Sequence, residues 1–138
     1  MIASLLSPNF VTDLGFEKKA FESFIEILRK EEQALVQGEF DEIDPLVTEK
    51  TRLIEKLLHL DDQRNKFFLS QGIKLNKVNA WLEDFFSDRP KARTLWNDVV
   101  ELARIAQRLN HTNSLMTSTL LQQNQRAFSA LHCAAGNI

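Results

Sequence analysis

Apolar residues return every three or four positions along most of this chain, which is the spacing of α-helices that pack lengthwise against each other. The first apolar set is spaced by seven residues and consists of Leu14, Phe21, Leu28 and Leu35. It predicts a helix over residues 9–37, which Gly38 ends. A second set predicts a helix over residues 41–71 with Asp41 or Asp44 as its cap. Because the connection between them is short, the two helices should form an antiparallel hairpin.

A shorter apolar face follows and predicts a third helix over residues 76–86, with Asn76 as its cap. We expect this helix to close one end of a bundle, where Trp81 and Trp96 pack as an aromatic plug. A pocket for an aromatic ligand is the alternative use of these two rings.

The last apolar set alternates steps of four and three from Leu95 to Ala127 and predicts helical structure over residues 91–134. At about 1.5 Å per residue, one helix of that length would span about 65 Å, whereas the second helix would reach about 45 Å. The last helix should therefore either project beyond the bundle or break at residues 110–114 and fold back. In both cases, the segment 110–134 is the part least covered by its own chain.

Together these patterns predict an all-α fold in which an antiparallel helical hairpin, a short helix and a long C-terminal helix form a coiled-coil-like bundle. The composition agrees, because only four Gly, three Pro and no Tyr occur, as is typical of long helices with few connections. We treat residues 1–138 as a single helical domain.

The last predicted helix carries no charged side chain between Arg108 and Arg126. Its outward positions there hold Thr, Ser, Asn and Gln, and dehydrating each of these costs a few kcal/mol or less, well below the cost for an unpaired charge. A partner can therefore cover this face. The alternative interpretation is a weakly helical tail, since Asn, Thr and Ser are mediocre helix formers. A segment that becomes helical on binding would have the same composition.

The net charge of −2 gives no long-range attraction to nucleic acid or to anionic lipid. The first residues lack the basic region and apolar core of a secretory signal, and no apolar run approaches the about 20 residues of a membrane span. We therefore expect a cytoplasmic protein without nucleic-acid or membrane partners. The single cysteine, Cys133, has no partner for an internal disulfide.

No arrangement of residues in the sequence is typical of catalysis, because a phosphate-binding Gly-rich loop is absent and the histidines are scattered. We therefore predict a protein that is not an enzyme and that binds no cofactor and no metal. One charged pair is of interest, since Glu31 or Glu32 can meet Lys50 across the hairpin. If partly buried, this pair would fix the register of the two helices; otherwise its charges stay solvated at the edge of the contact.

Two sets of residues resemble motifs of the FlgN family of bacterial flagellar export chaperones. The stretch from Leu109 to Met116 is similar to the family's Leu-Asn-x-x-Asn-Gly-x-Leu-Ile signature in the last helix, with Ser114 in place of Gly. The family's Glu-x-x-Ala-Leu-x-x-Gly turn and the Glu-Lys pair that follows it are matched by Glu31, Glu32, Ala34, Leu35, Gly38 and Lys50.

This resemblance implies a cytosolic chaperone without ATPase activity. Such a chaperone binds the C-terminal helices of the hook-associated proteins of the hook–filament junction, prevents their premature assembly and delivers them to the type III export apparatus. We predict a monomer or weak homo-oligomer whose client-binding residues are Asn113, Leu115, Met116, Leu120, Leu121, Asn124, Phe128 and Leu131. The alternative is a structural or adaptor coiled-coil protein that self-associates through the same stripe and has no secretion client. A helical enzyme or metal-binding bundle is a third, weaker hypothesis.

Overall fold

The computed structural model describes residues 2–136, together with the side chains of residues 10–134. Within this part of the chain, the helices are α1 (Ile2–Gln37), α2 (Ile43–Ser70), α3 (Val78–Phe86) and α4 (Pro90–Gly136). Single 3₁₀ turns precede α2 and α3, at Phe40–Glu42 and Leu75–Lys77. The described residues contain no β-strand, and the helices pack as a bundle, so the all-α prediction is confirmed.

Two glycines end the helices of the hairpin. Gly38 has a φ of +72° and Gly72 a φ of +70°, both in the left-handed region that glycine adopts without a steric penalty. Just after Gly38, the Glu39 N–H donates to the Ala34 carbonyl at 2.9 Å, and the Ile73 N–H makes the equivalent bond to Phe68 at 3.0 Å. These bonds satisfy carbonyls that the helix ends would otherwise leave unpaired. The predicted role of Gly38 is confirmed.

The beginnings of the helices differ from those expected. The backbone of α1 is helical from Ile2, whereas the apolar spacing locates a start only near residue 9. The predicted caps are wrong: Asp41 and Asn76 lie inside the 3₁₀ turns, Asp44 lies within α2, and neither α2 nor α3 has a side-chain cap bond. The short 3₁₀ turns lead directly into α2 and α3, so no extended residue precedes either helix.

α1 lies at the centre of the bundle and packs against both α2 and α4. Near its middle, Leu28 is fully buried among side chains from all three helices. At the other end of the bundle, α3 covers an aromatic cluster in which the Trp81 and Phe85 rings stack with centroids 4.9 Å apart. Trp96 of α4 packs on Phe10 in the same cluster. These rings pack on one another, as the plug interpretation expects.

A buried ion pair joins α1 to α2 beside this cluster. The carboxylate of Glu17 is almost fully buried and accepts a hydrogen bond from the Arg64 guanidinium. Arg64 also donates to Asp61 Oδ1 at 2.6 Å and lies 5.7 Å from the centre of the Trp96 ring. Burial raises the pKa of Glu17 above its ordinary value of 4.5, and the opposing effect of the Arg64 charge does not cancel this rise. The pair therefore aligns the two helices, although the attraction of Arg64 does not fully offset the cost of burying the Glu17 carboxylate.

α4 is a single helix of 47 residues, whereas α2 has 28. At about 1.5 Å per residue, these lengths correspond to about 70 Å and 42 Å. All residues from 121 to 134 are exposed, and the helix is continuous through residues 110–114. Of the two alternatives that the sequence left open, the structure therefore has the projecting helix and not the one that folds back.

Candidate functional site

The projecting end of α4 carries an apolar stripe that is largely exposed. Because successive residues of an α-helix are about 100° apart, the members of the stripe fall within an arc of about 100°. They are Leu120, Leu121, Asn124, Phe128 and Leu131. The arc lies on the same side of α4 as the residues that pack against α1 earlier in the helix. Phe128 is 77 % exposed and Leu131 is 69 % exposed. We call this set the C-terminal stripe.

A groove lies where the C-terminal stripe leaves the bundle. It encloses about 250 Å³ between the base of the projecting helix and the turn that joins α1 to α2. Leu120 and Leu121 form one wall, and Leu35, Phe40 and Ile43 form the other. Phe40 is half exposed although it is a large apolar side chain. The C-terminal stripe and this groove form one continuous apolar surface.

The hairpin side of the groove was missed in the sequence analysis. Phe40 lies between Glu39 and Asp41 in a turn, where the helical spacing of apolar residues gives no information about its position. Its signal was the residue type itself, because a large aromatic side chain in an acidic turn is seldom needed for folding. Leu35 belongs to the first apolar set, whose spacing predicts only a contact between helices.

Asn113, which the sequence predicts among the client-binding residues, lies inside the bundle in the free chain and outside this exposed surface. Its side chain has no exposure to solvent and lies between α4 and α1. The Asn113 Nδ2 group donates to the Leu28 carbonyl at 2.8 Å and to Glu31 Oε1 at 2.9 Å. Burying an amide is unfavourable unless such bonds compensate for the lost water. Asn113 is therefore a positioning residue within the bundle.

Asn113 is part of a polar network that links three helices. Glu31 of α1 also accepts a hydrogen bond from Lys50 Nζ of α2 at 3.1 Å, and both charged side chains are largely buried. The structure thus selects Glu31 over Glu32 for the predicted pair with Lys50. Since each partner would be left unpaired if a helix slid by a turn, the network fixes the register of α4 against the hairpin.

The remaining two predicted residues lie apart from the centre of the C-terminal stripe. Met116 is half buried one turn before Leu120, at the edge where the stripe meets the bundle. Leu115 is 55 % exposed, but five residues of helix separate it from Leu120, which places it about 140° around the axis. A single helix bound on the C-terminal stripe would therefore not reach Leu115.

The described residues show no feature of a metal or membrane site. No group of three or more His, Cys, Asp or Glu side chains is arranged to hold a metal ion in this part of the chain. Among the described helices, none has a stretch apolar and long enough to cross a bilayer. Cys133 is exposed as a free thiol near the end of α4.

Comparison with known proteins identifies the family of this chain. The family model described as FlgN protein matches residues 6–137, which is nearly the whole chain. Searches among curated proteins and among solved structures returned no significant match.

Proposed function

Because this chain belongs to the FlgN family of flagellar export chaperones, we propose that it binds the C-terminal helices of hook-associated proteins in the cytoplasm. In this proposal, it prevents these clients from assembling at the wrong time and delivers them to the type III export apparatus. The client helix packs along the C-terminal stripe and into the groove at its base.

The observation that carries this proposal is the exposure of every residue from 121 to 134, in a segment that bears Leu121, Phe128 and Leu131. Burying apolar surface contributes about 25 cal/mol per Å². Packing a partner helix on the exposed stripe therefore lowers the free energy of the complex. An amphipathic partner helix has the matching spacing of apolar side chains. Such a partner would gain the most contact from the arc that the C-terminal stripe occupies.

The uncharged surroundings of the stripe also suit a chaperone that must release its client. No charged side chain occurs between Arg108 and Arg126, so binding there dehydrates only hydroxyl and amide groups. Masking a client helix lowers the concentration of assembly-competent ends by mass action. Ordering costs reduce the net affinity that such a contact yields, which permits release at the export apparatus.

The test replaces two members of the C-terminal stripe and measures binding of a hook-associated protein from the same organism. We expect Leu121→Asp with Phe128→Asp to weaken binding at least about 100-fold, because each buried apolar side chain contributes about 1.5–3 kcal/mol. The matched control is Leu69→Asp with Leu75→Asp, since these side chains are also exposed but lie at the other end of the bundle. The control should bind as the unchanged protein does. Unchanged affinity in the stripe variant would contradict the proposed site.

The same bare stripe also fits a second copy of this chain, which is the basis of the alternative without a secretion client. Sedimentation at two protein concentrations separates the two. A concentration-dependent dimer that Leu120→Asp abolishes, in a protein that binds no hook-associated client, supports the structural alternative. A monomer that binds the client supports the chaperone.

A further inference from the structure

The turn that forms one wall of the groove is strongly acidic. Four of its side chains carry carboxylates within six residues, namely Glu39, Asp41, Glu42 and Asp44. Asp44 lines the groove directly, next to Phe40 and Ile43. Within residues 10–134, no cationic side chain lies at ion-pair distance from any of the four. Of the four, only Asp44 lines the groove, whereas Glu39, Asp41 and Glu42 line a neighbouring cavity on the α1 side of the turn. The groove therefore has one unpaired carboxylate at its wall and three more in the adjoining turn.

The neighbouring helices place one cation near the turn: Lys30 of α1 lines the cavity that holds Glu39, Asp41 and Glu42, but its ammonium pairs with Glu26 at 3.3 Å. The facing stretch of α4 has no cation between Arg108 and Arg126, and the first cation after the turn, Lys50, is held by Glu31. The nearest like charges oppose each other instead: hydrogen bonding and repulsion from Glu42 raise the pKa of Glu39. A cation brought in by a partner would relieve this repulsion.

We infer that the groove selects a client helix with Lys or Arg on the flank that meets the acidic turn, beside the apolar side chains that pack on Phe40 and Leu121. This inference rests on the proposed function and adds a rule of client recognition to it. Apolar contact along the C-terminal stripe accepts any amphipathic helix, whereas the carboxylates discriminate between partners. They favour a basic flank and disfavour an acidic one.

The experiment uses the full chain and two labelled amphipathic helical peptides. Both peptides carry the same apolar positions, and the same flank positions are Lys in one and Glu in the other. We expect the lysine peptide to bind at least about tenfold more tightly than the glutamate peptide at low salt, since several exposed charge pairs act together. High salt should reduce this ratio, because the Debye length falls to about 3 Å at 1 M.

Variants of the turn locate the source of the preference. Asp41→Asn, Glu42→Gln and Asp44→Asn together should bring the two peptides to similar affinity, and Asp41→Lys with Asp44→Lys should reverse their order. The matched control removes the same charge at exposed sites on α1, α2 and α3 by Glu22→Gln, Glu55→Gln and Asp84→Asn. This control should keep the preference for the lysine peptide. Circular dichroism checks that each variant is as helical as the unchanged protein.

Two results overturn the inference: an unchanged protein that does not prefer the lysine peptide, or a preference that survives neutralisation of the turn. Binding of the C-terminal segment of a hook-associated protein, measured in parallel, tests the proposed function separately. If the segment binds and the peptides show no charge preference, the inference fails and the function stands. If the segment does not bind, the proposed function fails whatever the peptides do.

Discussion

At the scale of single residues, Asn113 determines where α4 lies along the hairpin. It is a polar side chain in an apolar contact, and its amide bonds the Leu28 carbonyl and the Glu31 carboxylate. The apolar spacing of the sequence identifies Asn113 as facing other helices but does not say whether its partner is its own chain or a client. In the free chain its partners come from α1, about 80 residues away in the sequence, and spacing within one helix does not predict a contact over that distance.

We expect Asn113→Ala to lower the free energy of unfolding by about 1–3 kcal/mol, because it removes two buried hydrogen bonds and leaves Glu31 less well paired. Urea denaturation followed by circular dichroism measures this change. The matched control is Asn124→Ala on the same helix, whose side chain is exposed and should change stability by less than about 0.5 kcal/mol. Equal effects of the two substitutions would contradict the positioning role.

A second residue-scale prediction concerns Glu17. Its pKa is raised by burial, so the stability that its protonation contributes is fully present below the ordinary pKa of 4.5 and is lost as the pH rises through the raised value. Glu17→Gln removes this titration. The unchanged protein should therefore gain stability relative to Glu17→Gln as the pH falls from 7 towards 4.5, in urea denaturation at a series of pH values.

The exposed Glu22→Gln on the same helix serves as the control for the loss of a surface carboxylate. A difference between Glu17→Gln and the unchanged protein that stays constant with pH, or that changes in the opposite direction, would show that burial does not dominate the environment of Glu17.

At the scale of elements, α4 consists of two parts that differ in how much they pack against other helices. The part before Leu120 packs on α1 through Val99, Ala106 and Asn113, which are buried. The part after it is exposed throughout residues 121–134, and isolated helices shorter than about 12–15 residues are marginal in water. The helical pattern in the sequence is the same in both parts. The sequence thus predicts that both parts are helical. Whether a part packs against other helices depends on how far those helices extend along it.

We expect the backbone amides of residues 121–134 to exchange with solvent much faster than those of residues 95–113, with opening free energies near zero against values approaching global stability. Hydrogen-exchange mass spectrometry measures both segments in one experiment. A bound hook-associated client should slow exchange in residues 121–134 and leave residues 95–113 nearly unchanged. Similar protection of the two segments in the free chain would contradict the projecting position.

At the scale of the whole molecule, the bundle has one end closed by aromatic rings and another end open around the acidic turn. The closed end was predictable, because Trp81 and Phe85 repeat at helical spacing. The hairpin was predictable for a similar reason, since Gly38 ends α1 where the apolar spacing stops. The groove was not, because its walls come from Phe40 and Leu121, which no local pattern brings together. Spacing within one helix predicts which face is apolar, but only the packed lengths of several helices decide which faces remain open.

The exposure of α4 beyond Leu120 has a consequence for how such a protein can change over time. Most substitutions in a packed region alter folding as well as binding, and marginal stability then limits which of them are tolerated. Residues 121–134 are all exposed, so replacing their side chains alters recognition with little penalty to the fold. This arrangement leaves the segment free to diverge alongside its partners while the scaffold that carries it stays constant.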